Sequence, residues 1–200
     1  METPSLLVLT ANTPDAPLWV EREVKAIKEA LWGSAHRNAL ALQVHPAAAG
    51  REFLPQLDRN RPQLLHFSGH GDLDGLCFVG ETGDMEVQAN TLVVEALRLS
   101  PGLRLAVFVS CHSETLARAA IQHVDAAIGM KREVADADAP IFSAALYQAL
   151  SQGRHLQDAF DMAIWALNTD GGDADIPVLV TRQGVDPVSV AFQQRLSALM

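Results

Sequence analysis

Two short stretches hold the residues that could do chemistry. In Leu64-Leu65-His66-Phe67-Ser68-Gly69-His70-Gly71-Asp72 an apolar run stops at a histidine flanked by glycines. In Leu103-Arg104-Leu105-Ala106-Val107-Phe108-Val109-Ser110 a second run stops at Cys111-His112-Ser113. A free thiol of pKa near 8.5 is only about 3% ionised at neutral pH, so a nucleophilic cysteine needs a base or a positive field. Imidazole, with an ordinary pKa of about 6.5, can take that proton and later return it. His70 between two glycines is a side chain presented at a loop tip, and Cys111 falls where a strand gives way to a helix. The N–H groups opening that helix favour a thiolate and an oxyanion. A lone cysteine is more often a core residue; the pairing with His70 favours the functional reading.

The remaining histidines and cysteines read differently. His66 falls within the strand and is expected to be a core histidine bonded to a neighbour. His112 should point away from Cys111, and Cys77 should be packed in a hairpin. His66, His70, Cys77, Cys111 and His112 lack the paired close spacing of zinc ligands, so no metal is expected. Gly69-His70-Gly71 has no following lysine and opens no helix, unlike a phosphate-binding loop. The acidic stretches 72–74 and 170–175 lack the terminal glutamate of a calcium loop and read as solvated turns.

Elements that would position this pair follow from periodicity. Apolar strands are predicted at 5–10, from 64 up to His70, and at 103–110, 124–129 and 176–181, with an alternating strand at 39–45. Helices are predicted at 18–32, 51–57, 91–99, 114–122, 142–150 and 156–167, with a hairpin from 76–79 and 85–87. In the first helix Val20, Val24, Ile27 and Leu31 form the apolar face. Apolar strands alternating with amphipathic helices imply an α/β fold of three layers, a mostly parallel sheet covered by helices on both faces. In such sheets sites form beyond the carboxyl ends of the strands, where His70 and Cys111 both lie.

The chain has 200 residues, 48% of them hydrophobic, and a net charge of −9. One domain over residues 1–187 with a tail or short helix over 188–200 fits that length, and it needs no disulfide or cofactor to hold together. The acidic balance argues against a nucleic-acid backbone as partner. Only two cysteines are present, which fits a reducing, cytoplasmic setting. No apolar run approaches the roughly 18 residues of a membrane span.

With His66-Phe67-Ser68-Gly69-His70-Gly71 followed by Val107-Phe108-Val109-Ser110-Cys111-His112-Ser113, the sequence resembles the caspase-like CHAT domains of bacteria, relatives of caspases, metacaspases and separase. The strand end Ile128-Gly129-Met130 and the Phe142, Tyr147, Leu150, Gly153, Ala159, Ala163 pattern add to the likeness, which spans about residues 5–187. One departure is Val109-Ser110, where the family often has Asn-Ala; substrate-loop packing is where it would tell. The resemblance implies a cysteine endopeptidase with His70 as general base and acid, Cys111 as nucleophile, and the backbone N–H groups of Gly71 and Cys111 as oxyanion hole.

It also implies a protein or peptide substrate, a role in regulated proteolysis or bacterial defence, and control by a separate regulatory or sensor protein. Val134-Ala135-Asp136-Ala137-Asp138 is similar in spacing to the acidic segment with which separase reads a basic residue before the scissile bond. Asp136 or Asp138 could therefore line the first specificity pocket, although Asp138, two residues before Pro140, could equally cap a helix. Two other classes compete: an inactive caspase-like scaffold, and an acyl-transfer hydrolase. The latter commonly carries Gly-x-Cys/Ser-x-Gly, and 109–113 has neither glycine.

Overall fold

A computed structural model describes residues 3–14, 17–33 and 38–192. Strands β1 (Ser5–Ala11), β2 (Ala41–His45), β3 (Leu64–Gly69), β6 (Leu105–Val109), β7 (Ala126–Met130) and β8 (Pro177–Thr181) form one sheet in the order β2-β1-β3-β6-β7-β8. All neighbours pair in parallel except β7 with β8. A separate antiparallel hairpin, β4 (Gly75–Val79) with β5 (Met85–Ala89), follows the His70 loop.

Each central strand is apolar on both faces because each face is covered. Leu6, Val8, Leu64, Val107 and Val109 pack with residues of α1 (Val20–Trp32), α5 (Asp138–Ser151) and α6 (Leu156–Asp170). The alternate residues Leu7, Leu9, Leu65, Phe67 and Phe108 pack with α2 (Phe53–Asn60), α3 (Asn90–Arg98) and α4 (Glu114–Ala120). This is the period of two that sends neighbouring side chains to opposite faces. Val190 and Phe192 are buried in the first of these cores; residues 193–200 of the tail or short helix expected over 188–200 lie outside the described residues.

Helix α2 begins at Phe53, after a 3-10 turn at Gly50–Glu52, and α3 at Asn90, one or two residues from the pattern reading; the starts of α1 and α5 also differ from it. Helix α1 begins at Val20, not residue 18, because Asn12 binds Leu18 on both sides of its peptide, accepting its N–H at 2.9 Å and donating to its carbonyl at 3.2 Å. Helix α5 begins at Asp138, four residues earlier than expected. Pro140 is compatible with this because the first turn of a helix needs no N–H from it.

Candidate active site

Strands β3 and β6 are parallel neighbours, and their last register pair sets Ser68 opposite Val109. His70 and Cys111 therefore each lie two residues beyond that pair, on adjoining loops at the carboxyl edge of the sheet. The loops are in contact: a Cβ added at Gly71 would stand 3.0 Å from the Cys111 carbonyl oxygen and 3.0 Å from Ser110 Cβ. Only a residue without a side chain lets them approach this closely.

Each loop is fixed by its own hydrogen bonds. Gly71 forms an antiparallel bridge with Leu76, closed by Cys77 N–H to the His70 carbonyl and Asp72 N–H to the Gly75 carbonyl, both at 3.0 Å. Those two bonds leave the N–H of Gly71 itself outside the bridge. The Asp72 carboxylate accepts the N–H groups of Asp74 and Gly75 at 2.8 and 2.9 Å, so this acidic stretch is a self-bonded turn. Beyond β6, the buried Ser113 hydroxyl lies 2.9 Å from the Phe108 carbonyl and 2.8 Å from that of Ser110, and accepts the Met130 N–H at 3.0 Å. His112 holds a φ of 56°, a left-handed conformation uncommon for a side chain of its size.

One cleft opens on both residues. His70, Ser110 and Cys111 line it together with Trp19, Val20, Val109, Val134 and Asp136, and Glu23 and Ser68 also line it. The Arg22 guanidinium stacks over the Trp19 ring, 3.7 Å from its centroid, and steadies that side chain. The Ser110 hydroxyl is buried with no hydrogen-bond partner among the described residues.

Of the two acidic candidates for a specificity pocket, Asp136 lines this cleft and Asp138 does not. Asp138 is the first residue of α5, with Ala137 at the cap position, so it is not the N-cap either. Its carboxylate accepts the Asp173 N–H at 3.1 Å and holds the turn before β8. Cys77 is packed in β4, where burial, then the Asp72 charge and Cys111, push its thiol up and away from ionisation. His112 is half-buried beside Cys111.

Beneath the cleft lies a polar cluster that periodicity did not single out. Glu23, on the buried face of α1, is 2% exposed. Its carboxylate accepts the hydroxyls of Ser68 and Ser143 at 2.5 Å each. His66 Nε2 stands 3.0 Å from Glu23 Oε1, off the line of a straight hydrogen bond. On its other side His66 Nδ1 lies 3.0 Å from the buried Tyr147 hydroxyl. Burial alone would raise the Glu23 carboxyl. The attraction of His66 and the bonds from His66, Ser143 and Ser68 outweigh it and keep the group below its ordinary value. The expected core role of His66 is thus met, with an acid as its neighbour. The one sequence signal for Glu23 was its place in the Val20, Ile27, Leu31 stripe.

Known proteins share this architecture. A secreted C11 cysteine protease from Bacteroides thetaiotaomicron, solved with an irreversible peptide inhibitor, matches at a TM-score of 0.65 and 14% identity, over 90% of this chain and 66% of that one. Caspase-1 from Spodoptera frugiperda matches at 0.62 and 11% identity, over 98% and 91%. Gingipain R, an Arg-specific cysteine proteinase, matches at 0.62 and 10%, over 92% and 47%. At such identities the likeness defines the fold, which is caspase-like. In sequence, a probable protease of Gillisia limnaea is 28% identical over 158 residues, 76% of this chain but only 28% of that protein's length. Residues 8–183 match the CHAT domain, and on a match of that extent the chain belongs to the CHAT-domain family.

Proposed function

We propose that this chain is a cysteine endopeptidase domain acting through His70 and Cys111. The observation that carries the reading is their shared position, two residues past the last register pair of adjoining parallel strands and open to one cleft. His70 takes the Cys111 proton, and the thiolate attacks the scissile carbonyl carbon. The N–H groups of Gly71 and Cys111 receive the oxyanion; Gly71 N–H is outside the local bridge, which supports that role. The imidazolium then protonates the leaving amine as the C–N bond breaks, giving a thioester on Cys111. Water, deprotonated by His70, attacks the thioester and releases the acid product with the thiol restored.

Asp136 reads a basic residue ahead of the scissile bond. Its place in a cleft of otherwise largely apolar walls supports this, since an aliphatic stem packs on such walls while a cationic head meets the carboxylate. Gingipain R, named for Arg specificity, is a fold relative with that preference. The substrate is a protein or peptide in regulated proteolysis or defence, with a sensor or regulatory partner governing access. Both cysteines are free thiols, as a cytoplasmic setting favours, and among the described residues no helix is long and apolar enough to cross a membrane.

A test uses peptidyl chloromethyl ketones ending in Arg or Leu, with the labelled site mapped by mass spectrometry. The proposal expects alkylation of Cys111 by the Arg reagent, lost in His70→Ala. Labelling of Cys111 no faster than by chloroacetamide would contradict a peptidase site, and preference for Leu would contradict the acidic pocket alone.

A further inference from the structure

His66 and Ser68 share one face of β3, the face that packs on α1 and α5, and His70 follows Ser68 at the same spacing of two just past the strand end. The first two of these are tied to Glu23, and Glu23 also binds Ser143 of α5. One buried carboxylate thus joins three elements directly below the catalytic cleft. We propose that Glu23 is a positioning residue for the dyad, its carboxylate fastening β3 one pleat below His70 to α1 and α5 and so fixing the imidazole against Cys111. This rests on the cysteine-peptidase reading given above.

Stability alone is a poor reason for such a group. Removing a carboxylate and its partner from water offsets most of their attraction, and apolar residues of similar volume usually serve as well. What the cluster supplies is direction. Apolar contact lets a strand end slide against a helix, whereas hydrogen bonds from Ser68 and Ser143 to one carboxylate define where the strand end sits. Ser68 is the last β3 residue with a register partner on β6, and on the other side the ladder to β1 runs one residue further, to Gly69 opposite Ala11, so the Ser68 bond fixes the strand end from which the His70 loop departs. The same carboxylate lines the cleft, and α5 continues from the segment that carries Asp136. Catalytic geometry is sensitive on this scale, since a 1 Å misplacement can cost about 10²-fold in rate.

The test is the rate at which iodoacetamide alkylates each cysteine at pH 7, mapped by mass spectrometry in wild type, Glu23→Gln, Ser68→Ala and His70→Ala. Cys77 is 6% exposed and serves as an internal monitor of folding. Glutamine keeps the length and one acceptor but loses the charge. The expected result for Glu23→Gln is alkylation of Cys111 slowed about tenfold with Cys77 still protected. A Cys111 rate within twofold of wild type, with Cys77 protected, overturns the proposal. If Cys77 opens in Glu23→Gln, Ser68→Ala decides: it removes the one of the two β3 links to Glu23 that lies nearer His70 and should slow Cys111 about fivefold, and an unchanged rate overturns the proposal. A purely structural cluster would expose Cys77 and speed both reactions. Should His70→Ala itself leave Cys111 unaffected, the dyad reading fails together with its positioning residue. If His70→Ala slows Cys111 and Glu23→Gln does not, the dyad stands and the positioning residue alone is refuted.

Discussion

Replacing Gly71 by alanine would separate the loops that carry His70 and Cys111, the proposed dyad, without altering either side chain. The added Cβ would stand 3.0 Å from the Cys111 carbonyl oxygen, the Ser110 Cβ and the Ser110 hydroxyl, against an ordinary contact of 3.4 Å or more. Either loop must retreat by a few tenths of an ångström. Gly71 is not in the left-handed region, so the cost is steric and not conformational. An overpacked contact of this kind costs about 1 kcal/mol, and the lower entropy of the unfolded alanine chain offsets roughly 0.4–1 kcal/mol of it. Stability should therefore change little, with a Tm shift of about 2–4 °C at most. Activity should not be spared. A displacement of half an ångström or less, scaled from the 1 Å rule, gives a loss of about tenfold in kcat/KM, equal to roughly 1.4 kcal/mol of transition-state stabilisation. Peptide hydrolysis and Cys111 alkylation, read beside thermal unfolding, measure both sides. Full activity in a folded Gly71→Ala would refute the claim that the contact between these loops sets the geometry of the site.

Three further outcomes follow from the same structure. Asp136→Ala should lower kcat/KM for a peptide with Arg before the bond by about three- to tenfold, a modest figure because the carboxylate is half-exposed; an equal loss for Leu peptides would assign Asp136 to the scaffold. Glu23 has a carboxyl held below its ordinary value of 4.5, so its ionised form contributes stability above about pH 4.5 that disappears as pH falls through the lower folded-state value. Glu23→Gln should then cost about 2 kcal/mol in urea unfolding at pH 7, and the gap to wild type should narrow in acid; a gap that widens in acid would contradict the sign. Gly129→Ala would set a Cβ 2.6 Å from the Ser113 carbonyl oxygen and 2.9 Å from Ala117 Cβ, displacing the turn after Cys111 at a cost of about 1–3 kcal/mol; an unchanged Tm would show that the Ser113 turn yields freely.

Much of the fold was legible because its central strands are buried on both faces and its helices on one. That regularity located every sheet strand and put His70 and Cys111 at the same edge. The antiparallel direction of β8 was not legible, since an apolar strand reads alike in either direction. Glu23 was missed for a related reason. A charge on a helix is ordinarily assigned to the solvent face, and nothing near residue 23 shows that its partners arrive from positions 66, 68 and 143. Between the two acids the sequence favoured Asp136, because Asp138 two residues before Pro140 also read as a helix cap; α5 starts at Asp138, and one carboxylate lines the cleft while the other binds the turn before β8.

Fluorophore release from short peptides varying only in the residue before the bond, Arg, Lys, Leu or Asp, tests the central claim most directly. Wild type should cleave after Arg and Lys, and Cys111→Ala and His70→Ala should each abolish turnover while unfolding within a few degrees of wild type. Turnover that persists in folded Cys111→Ala would contradict the account.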